Sequence, residues 1–474
     1  MMTHDEWVDQ DLVGLAALVA AGDLSPRDVL LTAIREIEAI NPAINAVVVT
    51  QFEEALAELD ARKTRPRFLG APWLAKDLHA PVKGLPLANG SRRFKGQVFD
   101  FDSTTFSRIR AAGFGILGRT NSPEFGLSVS TEPDLWGATL NPWNPGRSAG
   151  GSSGGSGAAV GAGLLPAAHA TDSAGSIRAP ASCNGVVGLK PTRGLNAFGP
   201  HRGDPNFGMS HEHAVTRSVR DCAALLDITT GPDVGAPYFT PKPETPFERL
   251  IETPPKQLRI GFITQTFDGK PVHGECAAAV ERTAKLLTDM GHHVDAAGPD
   301  FDSSLLTDTM IRILFGSLVA MFPGDPGAEE EFGLEPITRA ALAFARETTL
   351  AEHLTRTMVM NREVRKLSAF WERFDILVTP TMATPPVPLG TLDTRHDDLE
   401  RFLETLSSVC PFTAPFNATG QPAISLPMHM TPDGLPVGVQ FVGRFARDDT
   451  VLALAAALER AAPWARPPTV SASA

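Results

Sequence analysis

The sequence predicts an α/β protein made as one large domain, a mixed β-sheet covered by helices on both faces. Two short runs rich in Ile and Val, "LRIGFIT" (258–264) and "DILVTPT" (375–381), each follow a helical pattern, as strands of a buried sheet do. Near the C-terminal end, "AISLPMHMTPDGLPVGVQFVG" (423–443) holds two apolar stretches around the turn tripeptide Pro432-Asp433-Gly434, which predicts a hairpin. Hydrophobic residues at 43% of 474 positions are enough to bury a sizeable core.

From the N-terminus, residues 1–65 are predicted to be mostly helical. Ser25 is a cap, Pro26 fills the first turn and Asp28 completes a capping-box pattern, after which Leu30, Ile34 and Ile37 fall at helical spacing. Residues 66–240 hold the unusual chemistry and are read as the catalytic core. Residues 302–370 carry two apolar helical patterns without a catalytic motif. They would roof a substrate pocket, although core packing explains the same pattern. "DDTVLALAAALERAA" closes the chain as a helix, "TPKPETP" (240–246) and "PGDPGAEEE" (323–331) read as surface loops, and the last few residues as a frayed tail. No repeat or domain-sized linker interrupts the pattern, so 1–474 is taken as one domain.

The net charge of −12 argues against a general nucleic-acid or anionic-membrane binder, since such partners select basic faces. Cys183, Cys222, Cys276 and Cys410 are widely separated, with no CxxC pair, so neither a disulfide framework nor a structural metal is expected. The N-terminal stretch has no basic region ahead of an apolar one, and no window reaches ~18 uninterrupted apolar residues. A cytoplasmic protein with reduced thiols is the expectation.

One stretch resists a structural explanation: "SAGGSSGGSGAAVGAG" (148–163). A phosphate-binding loop needs Lys and Ser or Thr directly after its last Gly, and here Ala158, Ala159 and Val160 follow. A linker would separate domains, whereas this run passes into a small-residue helix pattern. Gly151 to Gly155 matches G-x-S-x-G with Ser153 as nucleophile, but that elbow needs a strand before it, and "NPWNPGRSAG" offers three turn formers and no apolar run. A Ser-His-Asp hydrolase using Ser153 is therefore the weaker alternative.

Over residues 150–191, "GGSSGGSGAAVGAGLLPAAHATDSAGSIRAPASCNGVVGLKP" resembles the signature of the Ser-Ser-Lys amidases, the amidase signature family, and "GAPWLAKDL" (70–78) resembles that family's lysine segment. "NATGQPAISLP" (417–427) and "GLPVGVQFVG" extend the resemblance over most of the chain. It implies the amidase signature fold and assigns the catalytic lysine to Lys76, the bridging serine to Ser152 and the nucleophile to Ser176. It also implies a cis peptide before the bridging serine, where flanking glycines give the backbone latitude; Ser153 is the rival for that role. A serine hydroxyl is a weak nucleophile without a base in reach, so Ser152 would relay the Ser176 proton to Lys76. Lys76 must then be neutral. Its ordinary pKa of about 10.4 has to fall by roughly three pH units, worth about 4 kcal/mol, through burial or a nearby positive charge.

Backbone N–H groups of Ser173, Ala174, Gly175 and Ser176, in a tight turn entering a helix, are expected to form the oxyanion hole. Ala174 stands where the family more commonly has glycine, and a left-handed backbone there would cost about 1–2 kcal/mol. Asp172 and Arg178 are expected to pair and hold the turn, a structural role shared by Ser153, with Lys190, Asn417 and Gln421 in the scaffold. The resemblance places Phe125, Gly126 and Leu127 on the loop facing the acyl group. His211 and His213, read as loop residues with no third ligand, are taken as incidental, so no metal and no cofactor is expected.

Within the family, "ASCNGVVGLKPTRG" and residues 211–238 most resemble amidases of aminohexanoate oligomers and cyclic dimers, with related aryl-amide and urethane hydrolases. The expected partner is a small-molecule amide or carbamate, with neither nucleic acid nor membrane, and a homodimer left open. The amidase component of the tRNA-dependent glutamine amidotransferase uses the same serines and lysine and stands as the alternative.

Overall fold

The computed structural model describes residues 2–322 and 333–470. The loop expected at 323–331 and the tail after residue 470 lie outside the described residues.

Alternation along the central strands decides the architecture. Strand β1 (Val47–Thr50), β2 (Pro72–Lys76) and β3 (Gly115–Thr120) make a three-stranded sheet in the order β1-β3-β2, and β4 (Leu140–Asn141) with β5 (Asn144–Ser148) a short ribbon. The large sheet takes β6 (Ala167–Asp172), β7 (Val187–Lys190), β8 (His211–Thr216), β9 (Arg259–Phe262), β10 (His293–Ala296), β11 (Ile376–Pro380), β12 (Ala423–Met430) and β13 (Pro436–Gly443). Its order is β10-β9-β11-β13-β12-β7-β8-β6, parallel between β10, β9 and β11 and antiparallel elsewhere.

Successive side chains of a strand point to opposite faces. Ile376, Val378, Ile424 and Phe441 pack with helices Gly274–Asp289 and Asp448–Ala461. Their neighbours Leu377, Ala423 and Val442 pack on the other face with Ser303–Val319 and Leu350–Ser368. Each of these Ile, Val, Leu and Phe side chains, removed from water, contributes about 1.5–3 kcal/mol. Both faces are therefore covered, and the predicted strands at 258–264 and 375–381 are the adjacent β9 and β11. The predicted hairpin is β12–β13, turning at Gly434 (φ 80).

The N-terminal region is helical over His4–Val8, Leu12–Ala21, Pro26–Ile44 and Phe52–Ala61, with the β-branched run at Val47 forming β1 between the last two. Ser25 Oγ accepts the Asp28 N–H at 3.0 Å, while the Asp28 carboxylate takes the Ser25 hydroxyl at 2.7 Å, so the box closes on the side chain. Leu30, Ile37 and Ile44 bury against Ala158, Ala159 and Val160 of the small-residue helix Gly154–Gly161. That helix lies on backbone: a Cβ at Gly155 would stand 2.3 Å from Asn121 N and 2.6 Å from Ala46 O.

The absence of a strand before Ser153, expected from its turn formers, is corrected by β5. Asn144 and Gly146 do form the turn, but Ser148 N–H bonds to Val387 O and the segment stays extended, as one arm of the ribbon. His211 and His213 likewise lie on β8 rather than a loop, because β8 pairs with β6 from Ala167 to Asp172.

Candidate active site

Lys76 ends β2 and is fully buried, 0% exposed. Its Nζ lies 2.7 Å from Ser152 Oγ and 2.9 Å from Thr171 Oγ1. Burial pushes its ammonium well below the ordinary 10.5, against the opposing charge of Asp172. The carboxylate of Asp77 turns away to the amides of Ala88 and Gly90 and to the Trp136 indole N–H, so the lysine's sequence neighbour does not hold it charged.

Ser152 follows a cis peptide with Gly151. The Ser153 hydroxyl instead exchanges hydrogen bonds of 3.3 Å with the N–H and carbonyl of Thr171. The glycine-serine run thus lets one serine reach Lys76 and the next tie the loop to β6. Ser176 lies beyond β6, its hydroxyl making no hydrogen bond among the described residues and opening on the same cavity as Ser152.

The turn that carries Ser176 is organised by Asp172. Its carboxylate accepts the Gly175 and Ile177 amides at 2.7 and 3.1 Å and both Arg178 Nε and Nη2 at 2.9 Å. Burial opposes its charge, but Arg178 and Asn417 hold the carboxyl well below the usual range. Two expectations change here. Gly175, not Ala174, takes the positive φ (141°), so no left-handed cost falls on the alanine. The Gly175 N–H is committed to Asp172, whereas the amides of Ser173, Ala174 and Ser176 have no acceptors among the described residues.

A cavity of about 720 Å³ opens above these groups. Phe125 (φ 49) and Gly126 (φ 73) form a left-handed turn that presses backbone against the floor, a Cβ on Gly126 falling 3.0 Å from Ser152 Oγ. Phe125, Gly126 and Leu127 all line the cavity, as do Ile311, Phe315, Leu318 and His353 from the 302–370 helices. A second chamber of about 290 Å³ adjoins it, sharing Thr171, Ser173 and Arg202.

The amidase family model matches residues 28–452 of this chain. The chain belongs to the amidase signature family. It is 40% identical over 486 residues to a 6-aminohexanoate-cyclic-dimer hydrolase of Paenarthrobacter ureafaciens, covering 98% of this chain and 97% of that protein. The solved 6-aminohexanoate cyclic dimer hydrolase complexed with substrate superposes with a TM-score of 0.91 at 38% identity, covering 98% and 100% of the two chains. A bacterial aryl acylamidase of the same family gives 0.86 at 26% identity, covering 96% of each. This amidase therefore acts on amide C–N bonds.

Several residues of the amidase site carry no sequence signal. Gln440, 262 positions from Arg178, accepts its Nη1 at 2.7 Å. Glu124 anchors the Phe125 turn by accepting Ser91 Oγ and the Glu335 amide. Leu403 and Leu406 line the cavity from Leu399–Val409, a helix whose apolar pattern reads equally as core. Among the described residues no three His, Cys, Asp or Glu side chains could hold a metal together, and no helix is long and apolar enough to cross a membrane.

Proposed function

We propose that this amidase hydrolyses aryl and long-alkyl amides, and the corresponding carbamates, through an acyl-enzyme on Ser176. The observation that carries the reading is the 2.7 Å approach of buried Lys76 Nζ to Ser152 Oγ at the floor of the cavity that holds Ser176. Neutral Nζ offers its lone pair to the Ser152 hydroxyl, which in turn takes the Ser176 proton as Oγ attacks the carbonyl. The amides of Ser173, Ala174 and Ser176 receive the developing oxyanion. Collapse breaks the C–N bond, the proton returns through Ser152 to the leaving amine, and water releases the acyl group by the same relay. With a carbamate, Ser176 carries an alkoxycarbonyl group instead of an acyl group.

The apolar walls of the larger cavity suit the acyl arm, and the adjoining chamber suits the amine arm. Amides of the 6-aminohexanoate type fall within this class, in keeping with the relative named for that cyclic dimer. The test is the purified chain alone with p-nitroanilides, aryl carbamates, 6-aminohexanoate cyclic dimer and glutamine, followed by mass spectrometry of the trapped enzyme. The adduct is expected on Ser176, with no turnover in Ser176→Ala. An adduct elsewhere, or activity only with glutamine and a partner protein, would overturn the proposal.

A further inference from the structure

Beside Lys76 stands a buried pair that the relay does not use, its carboxylate at the wall of the adjoining chamber. His169 Nε2 lies 2.8 Å from Glu212 Oε1, with the side chains 0% and 5% exposed. The other ring nitrogen, Nδ1, accepts the backbone N–H of Lys76 at 3.2 Å. An amide only donates, so Nδ1 is the bare nitrogen and Nε2 carries the hydrogen given to Glu212. Phe106 packs edge-on against the imidazole at 5.0 Å.

The register explains why these groups converge. His169 and Thr171 are two apart on β6, and Thr171 faces Glu212 across the ladder, so all three project from one face of the large sheet. That face meets β2 of the small sheet. One strand thus holds the lysine at both ends: Thr171 Oγ1 at Nζ and His169 Nδ1 at the amide.

We infer that His169 and Glu212 are positioning residues for Lys76, a histidine–carboxylate pair that fixes the backbone from which the lysine reaches Ser152; this rests on Lys76 being the base. Without the Glu212 carboxylate, His169 is free to carry its hydrogen on Nδ1. It would then aim an N–H at the N–H of Lys76, and the link between the sheets would open. Water admitted there would let Lys76 keep its proton to higher pH. The other charged or titratable groups around Lys76 and the pair are Asp77, His79, Arg119, whose Nη1 donates to Lys76 O at 2.9 Å, Asp172, and Arg202, which the Glu212 charge faces. All five stay unchanged in the test, and the loss of charge beside Arg202 is common to Glu212→Ala and Glu212→Gln.

The test compares His169→Leu and Glu212→Ala with His169→Asn and Glu212→Gln, which keep an acceptor for each N–H. Three readouts are taken: the acid limb of kcat/KM, the NMR titration of 13Cε-labelled Lys76 in the free enzyme, and Tm. In the first two variants limb and midpoint are expected to move alkaline together by about one pH unit, with kcat/KM at pH 7 falling about tenfold. In the acceptor-keeping variants both stay near the parent values. Should His169→Leu not fold, Glu212→Ala alone supplies the comparison. A depressed parent midpoint that stays put in both disruptive variants while Tm falls would overturn the inference alone. An ordinary lysine midpoint in the parent would overturn the base assignment and the inference together.

Discussion

A primary amine enclosed on every side and 2.7 Å from a serine hydroxyl is useful only in its neutral form. Under the proposed mechanism Lys76 sheds its proton first, so kcat/KM is expected to fall tenfold per pH unit below its depressed pKa and to level off above it. A pH profile that is flat from pH 6 to 10 would remove Lys76 from the base role. The same burial acts on stability. The unfolded chain keeps the lysine proton up to the ordinary 10.5, while the folded chain has already released it, so native stability rises with pH between the two values. Lys76→Met abolishes this dependence. The advantage of the variant over the parent in ΔG of unfolding is expected to shrink by about 1.4 kcal/mol per pH unit across that window. Denaturant titrations at pH 7 and 9 measure it. Lys76 and Ser152, which the structure brings to 2.7 Å, were singled out in the sequence by the family pattern their segments resemble, as was Ser176. Thr171, His169 and Glu212 were not, since an ordinary strand composition gives no sign of which face meets another sheet.

At the scale of elements, two glycines in helices separate packing from propensity. Gly155→Ala drives a methyl into the backbone at Asn121 and Ala46 and is expected to destabilise by about 3 kcal/mol or more. Gly316, inside Ser303–Val319, has nothing within 4 Å of an added Cβ, and Gly316→Ala is expected to stabilise by about 1 kcal/mol. Equal effects in thermal unfolding would contradict the packing described for the glycine-serine run. The turn after β6 depends on one carboxylate. Asp172→Asn leaves Arg178 buried without its counter-charge, a loss of about 3–5 kcal/mol, with turnover falling as one of the Gly175 and Ile177 amides meets an NH2 in place of its acceptor. Recovery of turnover without recovery of stability in a second-site revertant would separate the two effects. The pairing of Asp172 with Arg178 was legible from their spacing; which amides the carboxylate takes was not, because that depends on the sharpness of the turn.

For the molecule as a whole, the strands, the hairpin and the two-sided helical cover were read from periodicity and turn residues, whereas the division into two sheets was not. Val47 to Thr50 joins β3 only through pairing with Gly118 to Thr120, a contact that no local pattern announces. The four cysteines are buried and unpaired, and burial pushes each thiol above its ordinary range. A thiol reagent is expected to leave the native protein unlabelled and to count four thiols after denaturation, with Tm indifferent to reductant. Rapid labelling of the native protein would contradict the packing around them. The anchoring of Arg178 by Thr413, Asn417 and Gln440 reaches into the time in which the protein is made. Ser176 leaves the ribosome long before the segments that seat its turn, so under the proposed mechanism a nascent chain is expected to stay hydrolytically silent until Thr413 to Gln440 have emerged.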